Sequence, residues 1–187
     1  MSINNSLRNQ ILRMARLDQS LRKKQWREYK TMNKKFPNKS APKYKEKINE
    51  FANQLKKLDS EHTEKMRGII KRFGWQGKGL VGKRGAQTAW LLVQHADYDT
   101  RFQEWCLNFL KGAVSREEAE PRHIAFLTDR ILTHQNKKQV YGTQFRTGKN
   151  GKLVPFPIKD IKKLDKRRKE MGLESFYVYT KKMKGYL

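Results

Sequence analysis

Side chains capable of acid–base chemistry gather in WLLVQHADYDTRFQEW, residues 90–105, where an apolar run breaks into Gln94, His95, Asp97 and Asp99 before an amphipathic run begins. A histidine beside carboxylates is the pairing a general base needs. The imidazole exchanges a proton near neutral pH, and a carboxylate fixes its orientation and tautomer. The same corner has an architectural reading. A histidine at a helix C-terminus gains from the helix dipole, and Asp99 is well placed to cap the helix that follows. Further along, Asp129 and Arg130 in FLTDRIL interrupt an apolar helix face, where a buried acid needs a partner. In YGTQF, Tyr141, Thr143 and Gln144 offer neutral donors and acceptors around Gly142, which permits close backbone approach. The candidate catalytic residues are therefore His95, Asp97 and Asp129, and the candidate ligand contacts are Gln94, Gln103, Arg130, Thr143 and Gln144. The expectation is a polar pocket around His95, Asp129 and Gln144, with Asp129 or Asp97 holding the imidazole.

No portable catalytic motif accompanies these residues. The chain has no G-x-S-x-G, no H-E-x-x-H and no Walker lysine motif. Cys106 is the lone cysteine, so neither an internal disulfide nor a cysteine-based zinc site is available. His123 and Asp129 lie too far apart to share one helix turn, and no metal or cofactor is expected. Gly77, Gly79 and Gly82 have the G-x-G-x-x-G spacing of a dinucleotide loop, but they follow a helical pattern where that loop needs a strand. They read as a glycine-rich turn.

The elements that must position these residues are mostly helical. Leu7, Ile11, Met14, Leu17 and Leu21 recur at spacings of three and four, predicting a helix over residues 3–32. Pro37 and Pro42 bound a basic linker at 33–42, and a second helix then runs from Tyr44 through Ile48, Phe51, Leu55, Leu58, Met66 and Ile69 to a stop at Gly74. Ala86–Ala96 is apolar on most sides and reads as a buried central helix. Helices follow over about 100–112 and from Pro121. A β-hairpin at about 138–158 turns at Lys149, Asn150 and Gly151. A basic helix covers 160–171, and 173–187 reads as a basic aromatic tail. The expected fold is mostly α, a compact helical domain with an N-terminal helical hairpin (1–73), a near-neutral core (74–172) and one small β-hairpin near the C-terminus.

Charge supplies a second line of argument. The 187 residues carry 43 Lys and Arg against 18 Asp and Glu, a net +25. The excess is +13 over residues 1–73 and +11 over 136–187, but only +1 between them. Basic flanks attract polyanions through Coulomb attraction and counterion release. Trp26, Tyr29, Phe36 and Tyr44 interleave with these cations, as stacking on bases requires. The expected partner is nucleic acid, RNA ahead of DNA, or a ribonucleoprotein. Arg13, Arg16, Lys23, Lys24, Arg27, Lys34, Lys35, Lys162, Lys163, Arg167 and Arg168 are the expected phosphate contacts. No run reaches the ~20 apolar residues of a membrane span, so a membrane is not expected and the cytoplasm is the default compartment.

The run WLLVQHADYDxxFQ, followed by LTDR and YGTQF, resembles a mostly bacterial family of unknown function. Asp18, Gln19 and Arg22, the turn GWQGKGLVG and the stretch DKRRKEMGLE extend the similarity over nearly the whole chain. The resemblance implies a mostly helical domain whose polar signature positions are Asp18, Gln19, Arg22, Gln94, His95, Asp97, Gln103, Asp129, Arg130, Thr143 and Gln144. It implies no activity. The chain departs from that pattern in its basicity and in a lysine-rich stretch at 33–57. Two functions follow as expectations: a basic nucleic-acid-binding protein or, alternatively, an enzyme or small-ligand protein using the polar corner.

Overall fold

A computed structural model describes residues 2–36, 39–148 and 152–184. Pro37 and the turn residues Lys149, Asn150 and Gly151 lie outside the described residues. The described chain is mostly helical with one two-stranded hairpin near the C-terminus, as its patterning predicts. It forms two compact units, Met1–Asp99 and Thr100–Leu187. The expected division at residue 73 falls inside the first unit, because the third helix is what the N-terminal hairpin packs on.

In the first unit, α1 spans Asn5–Lys35, and the Asn4 side chain accepts from the Leu7 N–H at 3.0 Å to start it. Leu7, Ile11 and Met14 form its buried stripe. The stripe does not continue through Leu17, which is 61% exposed; Asp18 takes the buried position at 0%. Both residues satisfy helical spacing from Leu7, and tertiary contact chooses between them. One turn pair further on, Gln25 donates to the Phe51 carbonyl at 3.1 Å and ties α1 to its partner. That partner, α2, spans Pro42–Phe73 with Pro42 in its first turn, and Gly74 ends it at φ +69. Tyr44, Phe51, Met66, Ile69 and Ile70 bury its apolar face, which also carries Asp59, His62 and Thr63.

Helix α3, Lys78–Gln94, packs against both and is broken at Gly82, whose φ of +70 and ψ of 164 are not helical. Gly77, Gly79 and Gly82 thus form a turn and a kink between helices, with no preceding strand. Ala86, Ala89, Leu92 and Val93 bury the remainder of α3.

The second unit begins with α4 (Thr100–Ser115) and α5 (Pro121–His134), which pack on each other. Ser115, the last residue of α4, donates its hydroxyl back to the Gly112 carbonyl at 2.9 Å. Strands β1 (Phe145–Thr147) and β2 (Leu153–Pro155) pair antiparallel, Phe145 opposite Pro155. A 3₁₀ turn at Ile161–Lys163 leads into α6 (Leu164–Glu170). The described part of the expected tail is a helix, α7 (Phe176–Lys184). Two of its aromatic rings are packed, Tyr179 meeting Phe126 and Phe145 edge-on at 6.2 and 5.7 Å and Phe176 stacking on Phe145, whereas Tyr177 is 65% exposed. Among the described residues no helix is long and apolar enough to cross a membrane.

Candidate functional site

Three helices of the first unit bring charged side chains to one buried point. Asp18 and Arg22 lie one turn apart on α1, Asp59 and His62 one turn apart on α2, and His95 is the residue that ends α3. His95 Nδ1 lies 2.9 Å from Asp18 Oδ1. Arg22 donates through Nε to the same oxygen at 2.9 Å and through Nη2 to Asp59 Oδ1 at 2.6 Å. Gln19 donates to the other Asp18 oxygen at 2.7 Å. Asp18, Asp59 and His62 are buried, whereas the side chains of His95 and Arg22 remain 18% and 30% exposed.

The two carboxylates are held in opposite protonation tendencies. Burial pushes the Asp18 carboxyl up, but the hydrogen bond and charge of His95, the Arg22 guanidinium and the Gln19 amide outweigh it and hold it at about 2. For Asp59, burial wins over the attraction of Arg22, and its carboxyl is raised. Burial likewise lowers the His62 imidazole. An ionised Asp18 only accepts hydrogen bonds, so the proton of the His95 pair sits on Nδ1. With Nδ1 held by Asp18, Nε2 is the ring nitrogen turned away from that carboxylate, the orientation a general base needs.

The carboxylate that holds His95 is thus Asp18, not Asp97 or Asp129. Asp97 is half-buried just beyond α3, and Asp99 accepts from Arg67 Nη2 at 2.5 Å. Beside this network a cleft of about 180 Å³ is lined by Asp59, Ser60, Thr63 and Glu64 of α2 and by Ala96, Tyr98 and Asp99 after α3.

In the second unit Asp129 plays a different part. Its Oδ1 accepts from the N–H groups of Val140 and Tyr141 at 2.7 and 3.0 Å, and its Oδ2 from the Thr143 N–H and hydroxyl at 2.9 and 3.0 Å. A carboxylate so fully engaged by its own chain anchors a loop and has no lone pair to offer a substrate. Burial still pushes its carboxyl up, against the pull of those donors. Thr143 and Gln144 do meet there, Gln144 donating to the Thr143 hydroxyl at 3.0 Å. Their loop is also held by Gln139, which accepts from the Gln144 N–H at 2.9 Å. Gln94 and Gln103 are buried on α3 and α4, and Arg130 is half-buried on α5.

The expected phosphate contacts divide. Arg13, Arg16, Lys23, Lys24, Arg27, Lys34 and Lys35 are exposed along α1, as are Lys162 and Lys163 in the second unit. Arg167 and Arg168 are instead bonded to carbonyls of the chain itself. Arg167 donates to the Val140 carbonyl at 2.9 Å and the Lys159 carbonyl at 2.6 Å. Arg168, 1% exposed, donates to the carbonyls of Glu174 at 2.7 Å and Tyr141 at 2.6 Å. Both cations are committed to closing loops. Sequence reasoning missed Asp59 and His62. Their signal was present: two polar residues at i, i+3 within the apolar stripe of α2, on the face that must be buried.

A family of unknown function (DUF6624) has a sequence model that matches residues 5–186. The comparison found no similar curated protein and no similar solved structure.

Proposed function

The chain belongs to this family of unknown function, and since membership assigns no activity, we propose from the chain's own surface that it binds nucleic acid, RNA ahead of DNA, mainly through phosphates. The observation that carries this reading is Trp26. It is 50% exposed on α1, stacked on Tyr29 with ring centroids 5.7 Å apart and planes 18° apart, and Lys30 Nζ lies 5.1 Å from its ring centre. Exposed Lys23, Lys24 and Arg27 surround it in sequence. A large ring left in water among cations is costly as packing and useful as a platform, since every unpaired base has a π-face to lay on it. Beyond it a groove of about 460 Å³ is lined by Arg27, Glu28, Thr31, Met32 and Lys35 of α1, by Phe36 at its C-cap, and by Lys43 and Lys47 of α2, four cations against one carboxylate. Cations along its rim suit phosphates, and the apolar floor suits sugars and bases. RNA is favoured because its loops and single strands present the unstacked bases that such a platform takes. Buried Cys106, in no disulfide, fits a reducing compartment, and the cytoplasm is the proposed location.

The test is binding of labelled single-stranded and duplex RNA at low salt, monitored by anisotropy. Single strands should bind tighter than duplex, and reversing Lys23, Lys24 and Arg27 to glutamate should weaken binding at least tenfold. Absence of binding at low salt, or affinity untouched by the reversal, refutes the reading.

A further inference from the structure

We propose that Asp18, Asp59 and His95 form a binding site for a divalent first-row transition cation, with His62 supplying a further donor. One oxygen from each carboxylate and one imidazole nitrogen all lie within 4.8 Å of one another. Small movements of side chains suffice to close that spacing to a coordination shell, and mixed carboxylate and imidazole donors suit zinc, manganese and their neighbours. The donors come from three different helices of one unit. Helical bundles build metal centres this way, with an acid and a histidine at i, i+3 on one helix facing acids on others. Asp59 and His62 have that spacing on α2.

His62 is the independent observation. Its side chain is buried, 4% exposed, and its Nδ1 has no hydrogen-bond partner. A buried imidazole nitrogen left without a partner is costly, and a ligand resolves it. His62 lies one turn from Asp59 on the same buried face of α2 and joins the three grouped ligands as the proposed fourth donor.

Arg22 is the cation that now bridges both carboxylates. Two buried anionic groups against one guanidinium leave a demand for positive charge, and a divalent ion meets it with directed bonds. Arg22 is 30% exposed, so its head can withdraw into solvent when the metal takes the carboxylates. The site is independent of the RNA reading, which rests on exposed residues further along the hairpin.

The decisive experiment uses the full chain, freed of metal and nucleic acid, titrated with Zn²⁺ and in parallel with Co²⁺. The chain holds four histidines, His62, His95, His123 and His134, which serve as their own controls in a ¹⁵N-edited spectrum of the imidazole rings. The expected result is saturation at one equivalent, with the resonances of His62 and His95 shifting and those of His123 and His134 unmoved. Asp59→Asn, with folding checked by circular dichroism, should weaken binding on the order of 100-fold. No saturable binding, perturbation of His123 or His134 instead, or unchanged affinity in a folded Asp59→Asn protein would each overturn the proposal.

Discussion

Asp18 is where the cost of this arrangement is most concentrated. Its carboxylate is wholly buried and accepts from three side chains on two helices. Replacing it with asparagine leaves the Arg22 cation without half its counter-charge, and breaking a buried pair from one side costs about 3–5 kcal/mol. Urea unfolding of Asp18→Asn should show a loss of that order. The same residue sets an acid limb. Its folded value of about 2 lies below the ordinary 3.8, so its stabilisation is complete above pH 3.8 and is lost as pH falls toward 2. The gap corresponds to about 2 kcal/mol. Asp59 is shifted the other way, so its protonation on acidification does not add to the loss. Stability measured between pH 5 and pH 2 should therefore fall less in Asp18→Asn than in the parent. A parallel fall in both would show that Asp18 is not the group responsible. Arg168 makes a contrasting case. Arg168→Met strands the carbonyls of Tyr141 and Glu174 and removes a cation 4.9 Å from the Tyr179 ring, so it should cost roughly 3 kcal/mol or more. It should leave RNA affinity unchanged, whereas reversing exposed Lys162 and Lys163 should do the opposite.

Helices and turns show what local pattern does and does not encode. Gly142 sits at φ +68 in the loop that Asp129 anchors, and a Cβ there would lie 2.9 Å from the Phe176 ring. Gly142→Ala should cost roughly 2–4 kcal/mol, the sum of a strained backbone and a ring forced aside. Gly82, at φ +70 and ψ 164 in a region essentially only glycine occupies, would place its Cβ 3.3 Å from Ile3 Cδ1, a milder contact, and Gly82→Ala should cost about 1–3 kcal/mol. Thermal unfolding of the two variants ranks them directly. Pro42 and Gly74 mark the ends of α2 in the sequence because their backbone constraints act locally. The buried face of α1 was legible only as far as Met14. Beyond it, Leu17 and Asp18 both fit the period, and the choice is made by His95, a residue distant in the chain. The same distance hid the partner of His95. Periodicity reports which face is buried but carries nothing about what lies opposite it. The partners of the α7 aromatic residues are hidden for a related reason. Phe176 and Tyr179 read as part of an aromatic tail, and only the fold sets Phe145 and Phe126 against them.

Over the whole molecule, the excess of 43 basic over 18 acidic residues separates into a share spent internally and a share left for partners. Arg22, Arg67, Arg167 and Arg168 are engaged with carboxylates or carbonyls of the chain itself. Lys23, Lys24, Arg27, Lys30, Lys34 and Lys35 are exposed on the distal half of α1, with Lys24 only loosely paired to Glu28 at 4.0 Å across water-exposed side chains. If these six cations each meet one phosphate of a single strand, the logarithm of affinity should fall with the logarithm of salt with a slope of roughly −4, at about 0.7 per contact. The two parts of the proposed surface then separate cleanly. Removing two cations, as in Lys23→Gln with Lys24→Gln, should flatten the slope by about 1.4, because two counterions fewer are released. Trp26→Ala releases no counterion and should leave the slope unchanged. It removes the stacking platform, which is worth about 1–3 kcal/mol per base and does not depend on salt, so the whole line should drop by roughly five- to 150-fold in parallel. Parallel displacement for Trp26 and a change of slope for the lysines would place bases on the ring and phosphates on the cations. A Trp26→Ala line that overlays the parent would leave a purely electrostatic contact and remove the stacking role from Trp26.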